Sequence, residues 1–145
     1  MNTGRGFSLL ELVVVLLILA ILVTVALPGY RQSVVRANRA VARLVVLEVA
    51  ARQERFLQTH SRYAASLAQL GLDEPYLIDG TANPVSEQHA LYAIHLLLEE
   101  ADYRGVVASP RGSQVRDSEC GSFVYLITGE RQVSGSRRDN PGRCW

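Results

Sequence analysis

Residues 1–30 read MNTGRGFSLLELVVVLLILAILVTVALPGY, and how they are read decides the fold. From residue 12 to residue 27 no side chain is charged, and the apolar run begins at Phe7 if Glu11 is counted inside it. The longer stretch, 7–27, reaches the ~20 residues a helix needs to cross a bilayer. Glu11 is the anomaly, because an unpaired carboxylate in hydrocarbon costs a few kcal/mol. Two ordinary readings compete. One is a plain membrane anchor. The other is a secretory signal peptide cut after Thr24-Val25-Ala26, a small-residue site of the usual kind. The acid near its start, the length of the apolar stretch and the helix formers that continue through 31–58 weigh against the second.

Working outward, the chain has 145 residues, and the part beyond this segment is long enough for one modest core. The formal net charge is +1, so bulk electrostatics names no partner. All fifteen basic residues are arginine, which reads as a coding bias. The two cysteines are Cys120 and Cys144. An even count behind an export-type N-terminus suggests a disulfide in an oxidising compartment, the alternative being two free thiols in the cytosol. The bridge would close a loop of about 25 residues and contribute about 3–4 kcal/mol in the chain-entropy model. No CxxC spacing points to zinc or redox chemistry. Charge bias opposes the disulfide. Only Arg5 and the α-amino group precede the apolar run, whereas Arg31, Arg36, Arg39 and Arg43 follow it. That bias alone would place the C-terminal side in the cytoplasm.

Pro28-Gly29 would normally end a helix, yet 31–58 is rich in helix formers, with Glu48 and Arg52 at a favourable i, i+4 spacing. A helix over 7–59 would be roughly 80 Å long, bent at Pro28, whose ring clashes with the Thr24 carbonyl. Beyond Pro28, Arg36, Arg39, Arg43 and Glu54 fall on one side and Val34, Val41, Leu44, Val45 and Val49 on the other, an amphipathic face. Val46, Leu47 and Leu57 lie outside that stripe, a surplus for neighbouring subunits or the following loop to cover. Residues 66–71 read as a short turn of helix ending at glycine, and 71–88 as a surface loop. Strands are expected over 90–98, 103–109 and 123–128, with a short fourth near Gln132-Val133. A long helix followed by three or four sequential strands argues an α+β fold with the helix packed on an antiparallel sheet.

Little in the sequence suggests catalysis. His60, His89 and His95 have no metal-ligand spacing with one another or with the cysteines, and no phosphate loop or nucleophile elbow occurs. No cofactor and no metal are expected, and an enzyme is not. The basic loop 136–143 carries Arg137, Arg138 and Arg143, which offer a weak phosphate-contacting surface for DNA against a simple solvated loop.

The stretch Gly6-Phe7-Ser8-Leu9-Leu10-Glu11 resembles the processing site of type IV pilins. Ala108-Ser109-Pro110-Arg111-Gly112, Asp117, Cys120-Gly121, Gly129 and the terminal Cys144-Trp145 resemble the C-terminal pattern of minor pilins of the PilE kind. Glu54, Tyr63 and the Leu70-Gly71 turn sit where those proteins keep similar residues. The resemblance implies the type IV pilin fold: a leader, 1–6; a transmembrane and assembly half-helix, 7–27; an amphipathic half-helix, 28–59; a loop, 60–89; and a sheet with a disulfide-bonded region, 90–145. It implies cleavage by prepilin peptidase after Gly6, N-methylation of Phe7, a filament-assembly role for Glu11, a kink at Pro28 and a surface disulfide between Cys120 and Cys144. The partners it implies are major and minor pilins and the pilus assembly machinery. It places the chain in the inner membrane with the C-terminal part in the periplasm, then in an extracellular pilus. That arrangement resolves the conflict between flanking charge and disulfide. The implied function is a minor pilin that initiates or builds the filament for twitching motility. The alternatives are a DNA-uptake pilin using the 136–143 loop and a pseudopilin of type II secretion.

Overall fold

A computed structural model of the chain describes residues 8–145. The chain divides into two units, Met1–Val34 and Val35–Trp145. Helix α1, Leu9–His60, contributes to both. It opens with the Leu12 amide donating to the Ser8 carbonyl at 3.2 Å, and the helical assignment continues through Pro28 and Gly29. Proline has no N–H to give the Thr24 carbonyl. Nearby hydroxyls bond back to their own helix, Thr24 Oγ1 to the Ile21 carbonyl at 2.7 Å and Ser33 Oγ to the Gly29 carbonyl at 3.0 Å. No residue from 8 to 34 is buried.

In the second unit the rest of α1 lies against a five-stranded antiparallel sheet whose strands follow chain order. They are β1 (Tyr76–Ile78), β2 (Tyr92–Glu99), β3 (Asp102–Pro110), β4 (Phe123–Leu126) and β5 (Arg131–Val133). Sequential hairpins need only short connections, which suits a chain of this length. β2 and β3 form the longest ladder, from Tyr92↔Pro110 to Glu99↔Asp102, with a register shift between Leu97 and Leu98. On β3, a Cβ at Gly105 would collide with the Tyr125 carbonyl of β4, so only glycine permits that close approach.

The core gathers Ala42, Val45, Val46 and Val49 from α1 with Ile78, Tyr92, Ile94, Val106, Ala108 and Phe123 from the sheet. The fold class is as the sequence implied, with one strand more than the three or four expected. The addition is β1, inside the stretch read as a surface loop. Tyr76 and Ile78 are buried, but three residues of alternation are too few to stand out among the Asp, Pro and Gly around them. The loop after β1 folds back on it, with the Val85 amide donating to the Leu77 carbonyl at 2.9 Å. The helix turn expected at 66–71 is present as the 3₁₀ turn Ala68–Leu70, closed by Gly71 at φ 72°.

The buried stripe of α1 differs from the one read from apolar periodicity. Val45 and Val49 are buried as expected and Val41 is half-buried, but Val34 and Leu44 are 39 % and 63 % exposed. Asn38 and Gln53 are buried in their place, along with Val46. Each amide is satisfied, so burial is tolerated. Asn38 Nδ2 donates to Gln114 Oε1 at 3.0 Å. Gln53 Nε2 donates to the Ala64 carbonyl at 2.9 Å, and its Oε1 accepts from the Ala64 amide at 2.8 Å.

Candidate functional site

Two regions carry the residues singled out in the sequence. The first is the N-terminal part of α1. Its large side chains from Leu9 to Leu27 are 45–82 % exposed, and the segment is long and apolar enough to cross a membrane. Glu11 sits in the first turn of α1, exposed, where the free amides of a helix N-terminus favour a negative charge. Gly6 and Phe7 lie outside the described residues. Pro28 lies within the helix.

The second is the C-terminal region closed by the Cys120–Cys144 disulfide, with a Cα–Cα distance of 5.7 Å. Both cysteines are buried. The adjoining Trp145 packs edge-on against Phe123 at 5.7 Å and lies 6.2 Å from Tyr125. Its Nε1 donates to the Gln132 carbonyl at 3.0 Å, and the Arg131 guanidinium lies over its ring at 5.7 Å. The bridge thus pins residues 141–145 onto β4 and β5, and the indole N–H is satisfied there.

An ion-pair chain joins this region to α1. Arg39 forks onto Asp117, with Nε–Oδ2 at 2.7 Å and Nη2–Oδ1 at 2.6 Å. The same Nη2 reaches Glu119 Oε2 at 3.0 Å, and Glu119 Oε1 accepts from Arg137 Nη2 at 3.2 Å. The Asp117 side chain is 1 % exposed and that of Arg39 13 %. A buried pair of this kind needs bidentate geometry and further bonds to offset desolvation. Asp117 has one more, accepting from the Cys120 amide at 3.3 Å. The bond to Asp117 holds the Arg39 guanidinium above its ordinary range despite burial. Arg39, then Arg137, hold the Glu119 carboxyl below the usual carboxylate range. Next to this chain the Tyr92 hydroxyl is buried beside Gln114 without a hydrogen bond of good geometry, and burial pushes its phenol far up.

Of the three arginines singled out in the 136–143 loop, Arg137 is therefore engaged by Glu119. Arg138 and Arg143 are exposed, Arg143 within the 3₁₀ turn Pro141–Arg143. The three histidines do not converge: His60 stacks on Phe56 at 4.0 Å, His89 ends the 3₁₀ turn Glu87–His89, and His95 points outward from β2. The spacing expected of Glu48 and Arg52 forms an ion pair at 2.7 Å. The Tyr63 hydroxyl donates to Glu54 at 3.1 Å. The sequence offers Arg39 only as part of the polar side of α1, and it does not single out Glu119 or the pairing of the two. Their separation of 80 residues leaves no periodic signal, although Asp117 stood in the C-terminal pattern that carried the resemblance.

Two family models match the chain. One, described as the prokaryotic N-terminal methylation motif, covers residues 1–27. The other, described as "Type IV minor pilin ComP, DNA uptake sequence receptor", covers residues 28–124. No curated protein matches the chain. The second match alone spans well over half the sequence, and the long helix, antiparallel sheet and disulfide agree with it: the chain belongs to the ComP family of type IV minor pilins.

Proposed function

We propose that the chain is incorporated into a type IV pilus, where it helps initiate or build the filament. The observation that carries this reading is the N-terminal part of α1, which leaves its large apolar side chains uncovered around a single early carboxylate. Apolar surface of that extent requires lipid or other helices. Prepilin peptidase removes residues 1–6 and frees the amine of Phe7, which is then N-methylated. The resulting cation pairs with Glu11 of a neighbouring subunit as the helix leaves the membrane. Two charges, each costly alone in hydrocarbon, offset one another in the correctly stacked filament. Pro28 bends or locally loosens α1 to fit that stack. The Val35–Trp145 unit faces the periplasm before assembly and the outside of the filament afterwards. There its disulfide lies in an oxidising compartment.

A deletion strain is expected to lose surface pili or twitching, and normal piliation and movement would contradict the reading. Glu11→Ala is expected to leave leader cleavage intact and reduce incorporation. Full incorporation would remove the assembly role of this acid.

A second reading, DNA uptake, is favoured by the description of the matched family, which names a DNA uptake sequence receptor. Duplex binding that weakens steeply with salt supports it. The pseudopilin alternative shares the N-terminal motif, and the Cys120–Cys144 bridge weighs against it.

A further inference from the structure

We infer that two copies of this chain meet head to tail, the 3₁₀ turn Gly112–Arg116 of one seating in a leucine-lined, acid-rimmed groove at the β2–β3 turn of the other. The inference rests on the filament reading for the setting of the contact, and it adds the surface by which one copy recognises the next. The groove opens where the β2–β3 hairpin ends beside the turn into β5. Leu97, Leu98, Leu126 and Ile127 line it together, and Leu97, Leu98 and Ile127 are 38–42 % exposed. The Ile127 amide donates to the Arg104 carbonyl at 2.8 Å, which ties the two hairpin ends side by side. Large aliphatic side chains gathered in one groove, rather than scattered singly, mark an interaction surface.

The rim of the groove is acidic. Glu99 is answered by Arg104 at 2.9 Å, but Glu100 and Asp102 are exposed and make no ion pair among the described residues. Asp102 pairs with Glu99 across the hairpin, so Glu100 and Ala101 are the whole of the turn between them. Both are left-handed, at φ 51° and 73°, where a two-residue turn ordinarily takes asparagine and glycine. A carboxylate is thus held at the apex against the local backbone preference.

The complementary surface lies at the other end of β3, whose nine residues span about 27 Å. There the turn Gly112–Arg116 is clamped from beneath. Gln114 accepts from Asn38 at 3.0 Å and donates to the Val35 carbonyl at 3.4 Å, and Asp117, next in the chain, takes the Arg39 fork. Held at those two points, the turn leaves Val115 62 % exposed. Arg116 beside it and Arg111 before it are exposed too, with no ion pair among the described residues. An apolar knob flanked by arginines therefore stands at one end of the strand, and an apolar groove flanked by carboxylates at the other. One strand separates them, so they cannot meet within a chain, and a second copy supplies both the charge and the apolar cover that each lacks. Because the two surfaces differ, the contact is heterologous and extends along a row instead of closing in a pair.

The chain has no lysine, so Arg116→Lys gives it a single side-chain amine. Isotope-labelled and unlabelled full-length protein carrying this substitution are mixed in detergent and treated with a carbodiimide, which joins an amine to a carboxylate it touches. Peptide mass spectrometry then separates links between copies from links within one. The expected link runs between copies, from position 116 to Glu100 or Asp102, and Val115→Asp is expected to reduce it about tenfold. In sedimentation of the chain without the lysine, Glu100→Arg and Arg116→Glu are each expected to weaken self-association about tenfold, and their mixture to restore it. Asp139→Arg, an equal change of charge in the tail loop, is expected to have no effect, and melting curves check that every variant is folded. Association through α1 in the micelle is common to all variants and cancels in the comparison. Links confined to one copy, links between copies to other carboxylates, or equal weakening by Asp139→Arg would overturn the contact. None of these results touches the filament reading, which fails only if the chain is absent from purified pili.

Discussion

One helix, α1, has two halves with opposite demands on their surroundings. From Leu9 to Val34 no side chain is buried, and as far as Leu27 the residues are Leu, Val, Ile and Ala apart from Glu11 and Thr24. From Val35 to His60 there is a buried stripe, and it contains two amides, Asn38 and Gln53. The first half has only its apolarity to offer and must find its cover outside its own unit. The second half is matched in detail, with each buried polar group answered from the loops at Ala64 and Gln114. The comparison teaches that secondary structure alone says little about role. The same helix leaves its side chains uncovered in one half and packs them into a fixed core in the other.

The sharpest way to break this comparison is to truncate one large side chain in the core that the second half joins and one in the first half itself. Phe123→Ala, which opens a cavity in the core shared with Ala42, Val45, Val46 and Val49, is expected to cost about 3–5 kcal/mol in the thermal unfolding of the detergent-solubilised chain. Leu16→Ala in the first half is expected to shift that transition by no more than about 0.5 kcal/mol. Comparable losses would mean that the first half is built into the folded unit after all. Next in size, Cys120→Ser/Cys144→Ser is expected to cost about 3–4 kcal/mol in the same melt, and the unreduced wild type treated with a reductant should lose a similar amount.

Arg39→Ala should cost about 3 kcal/mol, because it strands the Asp117 carboxylate in a buried site. Arg39→Ala combined with Asp117→Asn should recover part of that loss. An additive double variant would show that the two side chains do not act as a pair. The smallest effect within reach is at high pH. Burial raises the phenols of Tyr92 and Tyr103 far above their ordinary value. An unfolded chain gives up those protons near pH 10, so the unfolded state binds fewer protons there and stability falls as pH rises. A melting temperature that is flat from pH 9 to pH 11 would contradict that assignment. At the acid end, Glu119 is held low by Arg39 and Arg137. Its contribution is present at neutral pH and disappears as pH falls through its lowered value.

The parts of the fold legible in the sequence are those with long, repeated signals. The apolar run, the continued helix formers past Pro28 and the strand stretches 90–98, 103–109 and 123–128 each rest on a pattern spanning several residues, while the short β5 follows from the Gly129-Glu130 turn before it. What escaped is short or polar. β1 offers three residues between turn formers. The stripe of α1 was read from valines and leucines, which carry no information about amides that are buried because a loop answers them. The Arg39–Asp117–Glu119–Arg137 chain escaped for a related reason: charged side chains read as solvent-facing until the fold brings their partners together. At the N-terminus the reverse holds. Gly6, Phe7 and Glu11 draw their meaning from a local motif, and no feature of the folded unit would have singled them out.

The most direct test of the central claim is mass spectrometry of filaments sheared from the cell surface and purified. The expected result is this chain present at low abundance, beginning at an N-methylated Phe7 and carrying the Cys120–Cys144 disulfide intact. A chain absent from filaments, or found only in the membrane with residues 1–6 still attached, would contradict its role as a pilus subunit.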